Sequence, residues 1–145
     1  MRTFLARFFT LLTLAAFAGA TCAKTAPVPA AEAKKVRAVI EAQLDAFVTD
    51  DARRAFSYAA PAIRQMFGTP ENFIRMVRTA YPVVYRPASV IFLKPEWVEG
   101  ELIQGVQMTD SAEEVWLAVY TIQRQRDKSW RISGCQVAKS AGRAV

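Results

Sequence analysis

Five polar side chains and one glycine carry the chemistry that a buried site in this chain could use: Tyr85, Arg86, Gln104, Thr121, Gln136 and Gly134. Gln104 lies between Leu102 and Val106 on an alternation that ends at Met108. A turn at Arg126-Asp127-Lys128-Ser129 puts Gln125 opposite Trp130, Thr121 opposite Gly134 and Tyr120 opposite Cys135. On that register Gln104, Thr121 and Gln136 share a face, Gly134 leaves room beside Thr121, and Tyr85 or Arg86 reaches in from the preceding loop. A buried amide must be hydrogen-bonded. The three polar side chains therefore either line the mouth of an apolar pocket or bond to one another, to backbone or to solvent at the sheet rim.

Other chemistries lack their residues. The chain has no histidine, which removes His-based triads, imidazole bases and the common zinc sites. Its six glycines are scattered singly, so no phosphate-cradling loop is present. Asp50, Asp51, Glu71, Asp110 and Asp127 fall at helix starts and turns, and Glu113-Glu114 are neighbours that a strand would point to opposite faces. Cys135 sits among apolar residues without a basic partner, which reads as packing. No catalytic residue, metal ligand or cofactor is expected.

The elements that must position these residues divide the chain in two. From Glu32 to Val48, apolar side chains at Val36, Val39, Ile40, Leu44, Phe47 and Val48 form one helical stripe. Asp50 or Asp51 can cap a second helix through Phe56, Pro61 opens a third that Gly68 ends, and Thr69-Pro70-Glu71 starts a fourth through Tyr81. Tyr81-Pro82 and Arg86-Pro87 then break the helical pattern. After them ASVIFL, ELIQGVQM, EEVWLAVYTIQRQ and SWRISGCQV read as four antiparallel strands. The fold class is α+β, with N-terminal helices on one face of a mainly antiparallel four-stranded sheet.

The third strand is apolar on both faces. Val115, Leu117, Val119 and Thr121 are assigned to the helix side, with Trp130, Ile132, Gly134 and Gln136. Trp116, Ala118, Tyr120 and Ile122, with Arg131, Ser133 and Cys135, are assigned to the outer side. An apolar outer face needs a cover, and a homodimer through Trp116, Tyr120, Ile122 and Cys135 is the simplest. A turn one residue longer would swap the two sets.

The chain begins as an exported precursor would. Residues 1–23 carry Arg2 and Arg7, an apolar run from Phe8 to Ala18 and small residues ending at Ala23, the plan of a secretory signal peptide. The apolar run is shorter than the roughly 20 residues of a membrane span, and Thr21 before Cys22 does not fit lipid attachment. Cleavage removes two arginines from a chain of net charge +6 and leaves Cys135 as the lone cysteine. Residues 24–31 read as a flexible leader, 32–140 as one α+β domain and 141–145 as a tail. The basic residues form short clusters rather than a nucleic-acid stripe, and the destination is the periplasm or the extracellular space.

The order of helical hairpins, a proline-broken loop and a sheet ending in RDKSWRISGC resembles the nuclear-transport-factor-two-like, or SnoaL-like, superfamily, from about Glu32 to Ala138. The segments FSYAAPAIRQMFG, YPVVYRPASV, VWLAVYTIQRQ and WRISGC are similar to an exported bacterial family, domain-of-unknown-function family 4864. The superfamily implies a curved, cystatin-like cone with a pocket between sheet and helices, and dimers through the outer sheet face. Some of its members are isomerases, dehydratases or cyclases using Asp, His and Tyr, and the missing histidine departs from that pattern. The leading expectation is an exported, non-catalytic module that binds a small apolar or weakly acidic ligand or mediates protein association. An isomerase or hydratase using a pocket carboxylate and Tyr, and a purely structural partner protein, are the alternatives.

Overall fold

The computed structural model describes residues 25–141. The expected signal peptide (1–23) and residues 142–145 of the expected tail lie outside the described residues.

Five helices follow the stop and start signals. The first, α1 (Ala30–Val48), buries Val36, Ile40, Leu44 and Phe47 at spacings of three and four. It ends because Asp50 takes a left-handed conformation (φ 55°). The Asp50 N–H then donates to the Phe47 carbonyl (3.1 Å) and the Asp51 N–H to the Ala46 carbonyl (2.8 Å), the paired closure usually built on glycine. The Asp51 carboxylate accepts from the Arg54 N–H at 2.9 Å and opens α2 (Ala52–Ser57). Pro61 begins α3 (Pro61–Phe67), Gly68 (φ 72°) stops it, and Thr69 caps α4 (Pro70–Ala80). The Tyr81-Pro82 break is itself a helix start: Pro82 stands in the first turn of α5 (Pro82–Tyr85), where its missing N–H costs no bond. Phe73 of α4 meets Phe47, Phe56 and Phe67 at ring separations of 6.0, 5.5 and 5.6 Å and so ties α1, α2, α3 and α4 into one layer.

The sheet has six strands rather than four. They are β1 (Thr25–Pro27), β2 (Ser89–Phe92), β3 (Glu96–Val98), β4 (Glu101–Thr109), β5 (Val115–Arg124) and β6 (Trp130–Lys139), all antiparallel and not closed on themselves. The order is β1-β3-β4-β5-β6, with β2 also on β4. Glu99 and Gly100, both at positive φ (51° and 88°), make the tight hairpin from β3 to β4. In the segment expected as a leader, Thr25–Pro27 instead pairs with β3. Pro27 is tolerated there because β1 is an edge strand.

The two faces of β5 are exchanged relative to the sequence expectation. On β4 the buried residues are Leu102, Gln104, Val106 and Met108, and they pair with Ile122, Tyr120, Ala118 and Trp116. Cross-strand partners share a face, so Trp116, Tyr120 and Ile122 join the helix-covered core and Thr121 faces outward. Apolarity on both sides of β5 gave no basis for choosing; the alternation of β4 decides.

The β5–β6 turn is one residue shorter than expected. Lys128 takes φ 68°, the Gln125 N–H donates to the Ser129 carbonyl (2.8 Å), and Arg124 rather than Gln125 faces Trp130. Ser133 is then left over as a bulge, which restores the expected pairs Thr121–Gly134 and Tyr120–Cys135. Because of that extra residue, Trp130 and Ile132 point to the helices together with Cys135. Among the described residues no helix is long and apolar enough to cross a membrane.

Candidate functional site

A cavity of about 270 Å³ lies between the helices and the covered side of β5 and β6. Tyr120, Ile132 and Cys135, with the Gly134 backbone, form its sheet side. Gln43 and Phe47 of α1 and Phe73, Met76 and Val77 of α4 form its walls. Ile63, Met66 and Phe67 of α3 complete it, and Met66, 73% exposed, marks where it meets solvent. No residue of α3 is fully buried. That helix covers the cavity through the partly buried Ile63 and Phe67, which pack against the edge of the core.

The polar groups in the cavity are few and uncharged. Tyr120 is 1% exposed, and its hydroxyl has no nitrogen or oxygen partner among the described residues, with only the weakly polar Cys135 thiol facing it across the ladder. Burial, with the Cys135 thiol opposite, pushes that phenol well above its ordinary ionisation range. Burial likewise pushes Cys135 up to about 12, the Tyr120 hydroxyl opposing this. Both are neutral at ordinary pH, and a protonated thiol is a poor nucleophile.

Gln43, 3% exposed, donates from Nε2 to the Ala55 carbonyl at 3.1 Å and so anchors α1 to α2. A carbonyl can only accept, which fixes the orientation of the amide, and no hydrogen bond to its Oε1 occurs among the described residues. Tyr81, the remaining polar side chain, is half-buried where α4 meets α5. Among the described residues no Asp, Glu, Lys or Arg lines the cavity. No cluster of three metal-ligating side chains occurs among the described residues. Such a site can hold an apolar body, donate at least one hydrogen bond and accept at least one; its lining among the described residues holds no carboxylate or amine.

Of the residues expected to bind ligand, only Gly134 lines this cavity, and only by its backbone. A Cβ there would lie 3.6 Å from Thr121 Oγ1 on the far face, so a larger side chain would not fill the cavity. Thr121 and Gln136 belong to the outer face. Gln104 lies on the covered face opposite Tyr120, not beside Thr121. Its Nε2 donates to the Leu93 and Gly105 carbonyls, both at 2.7 Å, which makes it a bracket for the β2–β3 connection.

Tyr85 and Arg86 are drawn away to Asp50. The Tyr85 hydroxyl donates to Asp50 Oδ1, Arg86 Nη2 to Oδ2 at 3.0 Å and Arg78 Nη2 to Oδ1 at 3.2 Å. Both guanidinium groups lie over the Tyr85 ring, at 5.1 Å for Arg78 and 5.0 Å for Arg86. The Tyr85 hydrogen bond, then the two arginines, hold Asp50 below its ordinary carboxylate range. This cluster secures the left-handed residue at the end of α1. Tyr85 and Arg86 border a separate hollow with Tyr81, Asp110 and Trp116.

The expected outer-face residues are corrected as a group. Trp116, Tyr120, Ile122 and Cys135 pack toward the helices because β4 fixes the face of β5. Trp116 Nε1 donates to Asp110 Oδ2 at 2.9 Å. Tyr120 and Cys135, expected at a dimer contact, line the cavity instead. Gln43, Met66 and Met76 were missed. Gln43 had a readable signal, since it is a polar residue falling on the apolar stripe between Ile40 and Phe47.

Residues 29–145 match a family described as Domain of unknown function (DUF4864). No curated protein and no solved structure matches the chain.

Proposed function

We propose, for a chain that belongs to the DUF4864 family, that the protein is an exported module that binds a small, mostly apolar molecule between its helices and its sheet without transforming it. The observation that carries this reading is the Tyr120 hydroxyl, fully buried beside an apolar cavity with no nitrogen or oxygen partner among the described residues and only the weakly polar Cys135 thiol facing it. Leaving such a group unsatisfied costs roughly 1–3 kcal/mol, and a ligand acceptor recovers it. The volume of about 270 Å³ is near the lower end of small-molecule pockets.

The isomerase or hydratase alternative needs a carboxylate within reach of a bound substrate, and none lines this cavity. A purely structural domain would fill the space with side chains. Helices on one side of the sheet with a cavity between also suit the nuclear-transport-factor-two-like cone that the sequence resembles. Export rests on the composition of residues 1–23. Native mass spectrometry of protein purified from its producing cells tests both points. The expected species is the mature chain, starting near Lys24 or Thr21, plus a small neutral mass that leaves on collisional activation. A full-length chain without such a mass would count against the proposal.

A specific observation favours self-association as well, through the outer sheet face but carried by the β5 residues opposite in alternation to those first assigned to it. Leu117 and Val119 of β5, Ile103 of β4, and Ile91 (56% exposed) and Leu93 (44%) lie on the outer side, away from the described helices. Lys94 and Glu96 flank this patch. Charges of both signs beside the patch allow self-complementary pairing in a two-fold contact, which suits a homodimer.

A further inference from the structure

The distribution of polar atoms within the cavity says which ligands it can take. Its two fully buried polar side chains are Tyr120, whose hydroxyl has no nitrogen or oxygen partner among the described residues, and Gln43, whose one side-chain hydrogen bond among them is donated by Nε2. Between them they offer at least one donor and one acceptor. The end that meets solvent is the apolar side of α3, with Ile63, Met66 and Phe67. An anionic head would find no cation among the described residues, since none of their Lys or Arg side chains lines the space, and an unpaired buried charge is costly. A cationic head would find no carboxylate. A pure hydrocarbon would leave the Tyr120 hydroxyl unsatisfied. A cavity of 150 Å³ takes benzene; on that scale about 270 Å³ takes a molecule of roughly ten non-hydrogen atoms.

We infer that the ligand is an uncharged molecule of about that size whose single polar end both accepts and donates a hydrogen bond, as a primary amide or an alcohol does. It is seated with the polar end inward at Tyr120 and Gln43 and its apolar body toward α3. The inference rests on the cavity being the binding site, and it names the ligand chemistry for that same site. The apolar side of α3 then acts as the entrance, so the ligand is one that desolvates its polar end before it binds.

Three probes of equal size separate the possibilities: octanamide, octanoate and n-butylbenzene, titrated calorimetrically at about pH 8, where the acid is fully ionised. Octanamide should bind at least about tenfold more tightly than octanoate, the discrimination expected when an unpaired charge must be buried. Tyr120→Phe should weaken octanamide by about tenfold and leave n-butylbenzene within about twofold, with circular dichroism unchanged. On the wild type alone, N,N-dimethyloctanamide, which cannot donate to Gln43, should bind more weakly than octanamide. Octanoate binding as tightly as octanamide would overturn the inference. So would n-butylbenzene binding while octanamide binds no better, and in that case the cavity reading itself stands. Absence of binding by all three probes would instead remove the cavity as a site.

Discussion

Tyr120 and Cys135 face each other across the β5–β6 ladder, both directed under the helices, and burial keeps the phenol and the thiol protonated. Their pairing survives the short turn only because Ser133 is bulged out. Between them the two side chains present neutral, weakly polar groups to the space under the helices.

The first consequence concerns the thiol. Cys135 should react with a disulfide reagent such as Ellman's far more slowly in the native protein than in urea. Its ionisation is raised from an ordinary 9.0 to about 12 in the fold. The stability linked to it is therefore complete below 9.0 and is lost as pH climbs toward 12. Cys135→Ala should show a shallower alkaline decline in melting temperature. Rapid native labelling at neutral pH would show that the thiol is not held under the helices.

The unpartnered hydroxyl predicts an uncommon mutational result. Tyr120→Phe removes a buried polar atom that costs stability, so the ligand-free variant should be unchanged or up to about 1 kcal/mol more stable in urea denaturation. A loss of more than about 1 kcal/mol would mean that the hydroxyl already has a partner inside the protein.

At the end of α1, Asp50 couples a left-handed backbone to Tyr85, Arg86 and Arg78. Its carboxylate is depressed from 3.8 by the Tyr85 hydrogen bond first and the arginines next. The stability it contributes is present above 3.8 and disappears as pH falls through the lower folded value. Asp50→Asn keeps a residue that tolerates the left-handed conformation but removes the charge. Its melting temperature should fall below that of the wild type at neutral pH, and the two should converge in acid. A difference that persists undiminished in strong acid would contradict this.

For the outer sheet face, Val119→Glu should convert dimers to monomers in light scattering without loss of secondary structure, since Val119 touches no helix. A wild type that is monomeric at high concentration would remove the dimer from the account.

How much of this was legible in the sequence depended on local signals. Asp51, Pro61, Gly68 and Thr69 mark helix ends by chemistry that acts within one turn, and the structure uses each as written. The four longer strands showed through their β-branched and aromatic runs. The face of β5 did not, because Leu117 and Val119 are as apolar as Ala118 and Tyr120, so the partner strand had to choose. Turn lengths were hidden because Glu113 (φ 60°) and Lys128 (φ 68°) take left-handed positions that glycine would have announced. Strands as short as β1 and β3 carry too little alternation to read. The cavity depends on which residues fail to fill space between layers, and no single segment states that.

The central claim, that the space beside α3 and α4 is a binding site, has a built-in set of reporters. Met66 and Met76 line the cavity, whereas Met108 is fully buried elsewhere in the same core. With methyl-labelled methionine, titrating n-butylbenzene should shift the Met66 and Met76 resonances together and saturably while Met108 holds still. Resonances of Met66 and Met76 that do not move at saturating probe, or a response confined to Met108, would contradict the account.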